Sequence, residues 1–298
     1  MSTLQALQAL SQNDHTYSER HEESPFSENE LSKDGLAVSE AEYWEKYYHD
    51  LDFTYEWNNG YLEEKPMSDI KGWKVYRWFC KILESYFTAF PIGETIGLDI
   101  GFRLALPHKT SIRRPDLSVI LDTNPITYDE DDCTYSGTFD LCIESLSHSN
   151  LKEIKRDAVD KKKEYEGVGV QEYYILDARK SQTEFYGLDK NGKYKNLDTK
   201  GIVKSITLPG FQFRISDLYQ QPPLDELVDD DIYHDYMLPA YQKEKQRADK
   251  EKHRADKAEQ QADKERQEKE KEKRRADRER QRAEQMEAKL KELGISLE

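Results

Sequence analysis

Cysteine is scarce in this chain. The three present in 298 residues, Cys80, Cys133 and Cys142, show no CxxC spacing and no paired histidines beside them. This argues against a zinc site or a disulfide framework, and a reducing, cytoplasmic setting is the expectation. Long apolar runs are missing too: none approaches the roughly 20 residues needed to cross a bilayer, so no membrane partner is expected. The start, Met1-Ser2-Thr3-Leu4-Gln5, lacks the basic and apolar blocks of a secretory signal. Hydrophobic residues make up 36% of the chain against 35% charged, which is too few for one compact globule of this length. They gather between about positions 43 and 220, enough for one well-filled core.

Positive charge is also short where a polyanion binder needs it. The net charge of −15 divides into +3 for the 59 residues from Ala240 onward and −18 for the rest. Nucleic-acid affinity normally rests on Lys and Arg contacts to phosphate. An acidic body is compatible with such a partner only where basic residues cluster locally, and Lys152, Lys155, Arg156 and Lys161 to Lys163 are the candidates for that cluster.

The remaining pattern divides the chain into four parts. Residues 1–40, rich in Ser, Glu, Gln, His and Asn, read as a disordered leader. A domain follows over 41–220, then a linker over 221–238 and a helical tail over 239–293. Inside the domain, Asn58-Asn59-Gly60 between two strand-like runs signals a hairpin. Apolar spacing predicts a helix from Lys71 to Phe87. Strands are predicted over 94–100, 101–106, 116–121, 138–144, 173–177, 183–188 and 193–196, with 206–213 closing the domain, and a helix over 150–166 stops at Gly167-Val168-Gly169. Strands on both sides of helices make this an α/β protein with a mixed sheet. In the tail, Ala248, Ala255, Ala262, Ala276, Ala283 and Leu290 recur in sevens, with Lys269 filling the one gap. A seam of alanine buries little, so the tail reads as a weak coiled coil or a lone charged helix, with homo-oligomerisation through it as an open expectation.

Two acids and a helical lysine are the candidates for chemistry. Asp116 opens the run Leu117-Ser118-Val119-Ile120-Leu121, and Glu144 ends the run Leu141-Cys142-Ile143. Asp157, Lys161 and Tyr165 lie four apart and share one helix face. Each has a plain alternative: a loop-to-strand cap for Asp116, a cap or ion pair for Glu144, and a routine surface pair for Asp157 and Lys161. Taken together, two carboxylates from adjacent strands form a hard oxygen site suited to Mg²⁺ or Mn²⁺, and a nearby ammonium stabilises charge on a phosphate.

The order Pro115-Asp116, Ile143-Glu144-Ser145-Leu146-Ser147, Asp157, Lys161 and Tyr165, then Gly169-Val170-Gln171-Glu172-Tyr173-Tyr174-Ile175-Leu176-Asp177, resembles the Uma2 family of the PD-(D/E)xK restriction-endonuclease-like superfamily. The resemblance runs from about Tyr55 to Leu218, including Asn59-Gly60-Tyr61-Leu62-Glu63 and Leu208-Pro209-Gly210-Phe211. It implies a restriction-endonuclease-like fold followed by a charged helix, and a metal-dependent endonuclease acting on nucleic acid, DNA rather than RNA. Asp116 and Glu144 would then hold the metal, with Lys161 and Tyr165 beside them. Two positions depart from the pattern. Leu146 stands where the superfamily commonly has its lysine, a role Lys161 takes over from the helix. Gly72 stands where the family often has a histidine. A nuclease-like fold that binds or scaffolds without cutting is therefore the rival expectation, with the tail as the functional element a third.

Overall fold

The structure, a computed structural model, describes residues 31–97, 100–148 and 150–292. It divides into two units, residues 1–65 and 66–298. In the first, a short helix α1 (40–47) is capped by Ser39, whose hydroxyl accepts the Glu42 N–H at 3.1 Å. Strands β1 (Tyr55–Asn58) and β2 (Tyr61–Glu64) form the expected hairpin. Its turn needs two left-handed residues, and Asn59 (φ 47°) and Gly60 (φ 100°) supply them. Most of the expected leader lies outside the described residues. Its last part is tied to the hairpin: the Val38 N–H donates to the Gly60 carbonyl at 2.9 Å, and the Trp57 indole to the Val38 carbonyl at 3.0 Å.

The second unit begins with α2 (Ile70–Ala89), whose buried residues recur at helical spacing through Val75, Trp78, Phe79, Ile82, Leu83 and Tyr86. Asp69 caps it, accepting the Gly72 N–H at 2.7 Å. Then come β3 (Gly93–Ile96), β4 (Gly101–Ala105), β5 (Thr110–Arg113), β6 (Leu117–Leu121), β7 (Thr134–Tyr135) and β8 (Leu141–Ser145). A long helix α3 (151–168) leads to β9 (Glu172–Leu176), β10 (Glu184–Leu188) and β11 (Tyr194–Asn196). The main sheet is mixed, in the order β11-β10-β9-β8-β6-β3, with β8 and β9 parallel around the α3 crossover and the other neighbours antiparallel. Strand β4 pairs with β5 and β7 in a second sheet.

Alternation along the central strands feeds two cores. Leu117, Val119, Leu141, Ile143 and Tyr174 join α2 in one, and Ile120, Cys142, Tyr173 and Ile175 join Phe102, Phe139 and Tyr165 in the other. Both faces being covered accounts for the near-continuous apolar runs of β8 and β9.

The end of the domain differs from a simple closing segment, and one sequence expectation is corrected here. Residues 206–213, expected to close the domain, are divided by a turn. Pro209 and Gly210 (φ 82°) break the run into a turn between β13 (Ile202–Lys204) and β14 (Gln212–Arg214), and β13 pairs with both β14 and β12 (Asp198–Thr199) in a small antiparallel sheet. Residues 221–238, expected as a linker, contribute Leu227, Val228, Tyr233, Tyr236 and Met237 to the first core instead. Their polar neighbours hide this from a composition argument, but the Tyr236 hydroxyl reaches the Gln212 carbonyl at 2.6 Å and the Tyr233 hydroxyl reaches Asp217 at 2.8 Å. After the short α4 (Asp217–Gln220), the chain ends in α5 (Pro239–Glu292), 54 residues long. At 1.5 Å per residue this is about 80 Å of helix. The alanines of its heptad stripe are exposed. No described helix is long and apolar enough to cross a membrane.

Asp177 closes the end of β9. Its carboxylate accepts the N–H groups of Arg179 (2.7 Å), Ser181 (2.7 Å) and Gln182 (2.8 Å), and meets His148 Nε2 at 2.7 Å. Burial pushes its pKa up, yet these donors outweigh that and hold it at about 2, below the ordinary 3.8. A depressed carboxyl stabilises the fold fully above its unfolded pKa and ceases to do so as pH falls through the folded one. Asp177→Asn is therefore expected to cost on the order of 2 kcal/mol at pH 6. The gap in melting temperature from the wild type should close between pH 4 and pH 2, which melts across that range will read.

Candidate active site

β6 and β8 set the site's spacing. Their antiparallel register pairs Leu117 with Ile143 and Ser118 with Cys142. One further step brings Asp116 opposite Glu144, and the pleat directs both toward the face that holds Cys142 and Ile120. Glu144 is buried and Asp116 half-buried. The Ser145 N–H donates to Asp116 Oδ2 at 2.6 Å, so the two acids are joined through one peptide. From behind, the Tyr76 hydroxyl of α2 donates to the Asp116 carbonyl at 3.0 Å.

The middle of α3, Arg156–Lys161, is wound as a π-helical turn, a distortion frequent at functional sites. It presents Asp157 and Lys161 to the sheet. The Lys161 ammonium, almost fully buried, stands 2.9 Å from Glu144 Oε1 and 3.3 Å from Asp157 Oδ1. One turn on, the Tyr165 hydroxyl donates to the same Glu144 oxygen at 3.0 Å. Tyr165 is itself fixed between Phe102 (ring centroids 5.8 Å apart) and Tyr173 (5.0 Å). The four expected residues thus lie in one connected cluster, Asp116–Ser145–Glu144–Lys161 with Tyr165.

Two contributors went unassigned in the sequence reading. Asp157 shares the helix face by its spacing, and its carboxylate is a second acid beside the Lys161 ammonium. Ser145 carries a buried hydroxyl with no hydrogen-bond partner among the described residues. No local sequence signal marks it. The start of α2 faces this hydroxyl: a Cβ added to Gly72 would stand 3.7 Å from Ser145 Oγ and 2.6 Å from Ser68 Oγ. The basic cluster expected on α3 is not a free cationic patch. Arg156 and Lys161 are buried, Lys155 pairs with Asp160 at 2.7 Å, and Lys162 lies 3.7 Å over the Tyr186 ring.

The donors suit a hard divalent cation. Mg²⁺ is commonly held by one or two carboxylates while keeping several waters, and Asp116 and Glu144 are the two that would hold it here. Among the described residues, no group of three His, Cys, Asp or Glu side chains is placed to hold a metal.

Comparison with known proteins adds three findings. Residues 41–217, more than half of the chain, match the family model Uma2, described as "Putative restriction endonuclease". No curated protein sequence matches. A similar solved structure is that of a "putative nuclease belonging to DUF820" from Anabaena variabilis ATCC 29413. It is 17% identical, with 57% of this chain and 92% of that one covered and a TM-score of 0.45.

Proposed function

Since the chain belongs to the Uma2 family, we propose that it is a metal-dependent endonuclease that hydrolyses phosphodiester bonds in nucleic acid, DNA rather than RNA. The observation that carries this reading is the joining of Asp116, Glu144 and Lys161 in one cluster, from two adjacent strands and the crossover helix. Asp116 and Glu144 would hold Mg²⁺ or Mn²⁺, which when bound supplies Lewis acidity and an acidified water. Lys161 places positive charge beside the acids, where the charge developing on a phosphate is stabilised. Asp157 and Tyr165 fix the orientations of Lys161 and Glu144, so these groups are positioned before substrate arrives.

A second reading, a nuclease-like fold that binds without cutting, is favoured by Gly72, which leaves the helix start beside Ser145 without a side chain. In that reading the α5 tail assembles copies of the chain through its alanine stripe. Plasmid DNA incubated with the purified chain and Mg²⁺ or Mn²⁺ separates the two. The nuclease reading expects nicking or linearisation that EDTA stops. Intact plasmid with either metal would transfer the assignment to the binding reading.

A further inference from the structure

Resting on that nucleic-acid reading, we propose that the outer face of α2 is the track on which the phosphate backbone of a nucleic-acid strand lies as it reaches the site. Lys71, Lys74, Arg77 and Lys81 follow each other at spacings of three, three and four residues, so they form one stripe. All four are exposed, and among the described residues none of them has an acid within ion-pair distance. This sets the stripe apart from most of the cations around the sheet. Lys109, Arg113, Lys155, Lys161, Lys193 and Arg214 are each bound to a carboxylate. In a chain of net charge −15, four cations left unneutralised on one face form a local positive surface suited to a polyanion.

The geometry agrees with the charge. From Lys71 to Lys81 the helix rises about 15 Å, and one strand of B-form DNA carries a phosphate about every 3.4 Å of axis, so the stripe spans about four phosphates. The Arg77 guanidinium stacks 4.7 Å over the half-exposed Trp73 ring, which holds it outward. Beside the stripe, a cavity of about 300 Å³ is lined by Lys74, Arg77, Lys81, Pro222 and Pro223 among others. The first turn of the same helix lies against the end of β8, where Gly72 faces Ser145, whose N–H donates to Asp116.

The test is fluorescence anisotropy with the full chain in EDTA, using a labelled duplex oligonucleotide and its single strand over a series of salt concentrations. Combined Lys74→Gln, Arg77→Gln and Lys81→Gln should weaken binding on the order of tenfold or more and lower the salt slope by about two to three. Combined Lys190→Gln, Lys200→Gln and Lys204→Gln, also exposed, should leave both unchanged. Equal losses in the two sets, an unchanged affinity in the first, no nucleic-acid binding by the wild type, or equally tight binding of polyglutamate would each overturn the proposal. Cleavage by the wild type with binding indifferent to the stripe would remove the track and leave the active-site reading standing. Stripe-dependent binding by a chain that cuts nothing would support the track and remove the nuclease reading.

Discussion

Glu144→Gln is expected to lower Mg²⁺-dependent cleavage by about a thousandfold. The substitution preserves volume, so the Tyr165 hydroxyl keeps a carbonyl oxygen to donate to and Lys161 keeps the Asp157 carboxylate. It removes the charge that a divalent ion requires. Asp116→Asn should have a similar effect, because the Ser145 N–H still finds an oxygen while the second anionic donor is lost. The double variant should be little worse than either single one, as groups that act as a unit are strongly non-additive. Glu94→Gln, at an exposed position of β3, serves as the control and should cut at the wild-type rate. The measurement is the initial rate of supercoiled-plasmid loss at saturating Mg²⁺. Rates within a few fold of wild type for Glu144→Gln would remove that residue from the site.

The largest expected loss of stability lies elsewhere on α3. Glu164 clasps the fully buried Arg113 through two bonds, at 2.6 Å to Nε and 2.9 Å to a terminal guanidinium nitrogen, and also meets Lys109. Burial alone would push the Glu164 carboxyl up, yet the hydrogen bonds and charges of Arg113 and Lys109 hold it below the usual 4.5. Its contribution is therefore present above the unfolded pKa and is lost as pH falls through the folded one. Glu164→Ala strips the guanidinium of the carboxylate it clasps and should cost about 3–5 kcal/mol, because a buried charge is then left poorly compensated. For a fold of this size that lowers the melting temperature by about 10 °C. Replacing both partners, Arg113→Met with Glu164→Met, should recover much of the loss, since no charge is then buried. Thermal melts at pH 7 followed by circular dichroism read both outcomes.

These expectations draw on a site whose parts differ in how legible they were. The hairpin at Asn59-Gly60 and the helix at 70–89 were legible because turn chemistry and a period of 3.6 are local properties. Asp116 and Glu144 stood out as acids at the ends of apolar runs. That they face each other depends on the β6–β8 register, which no spacing in the chain encodes. Lys161 was found through its distance from Asp157 and Tyr165, and the π-turn leaves that alignment intact. Ser145 and the α2 stripe were missed for opposite reasons. Ser145 is set apart only by a tertiary neighbour, the start of α2, while the four cations of the stripe are scattered among the aromatic residues that define the helix's buried face. The core role of 221–238 was hidden because Asp229, Asp230 and Asp231 made it look like a solvated connection, although Asp230 is spent on Arg214 at 2.6 Å.

Calorimetric titration of the metal-free full chain with Mn²⁺ or Mg²⁺, repeated on Asp116→Asn and Glu144→Gln, tests the central claim most directly. The account expects saturable binding by the wild type at millimolar metal or below, lost in both variants while their melting curves stay close to wild type. Binding that is unchanged in both variants, or no heat from the wild type at any metal concentration in that range, would contradict it.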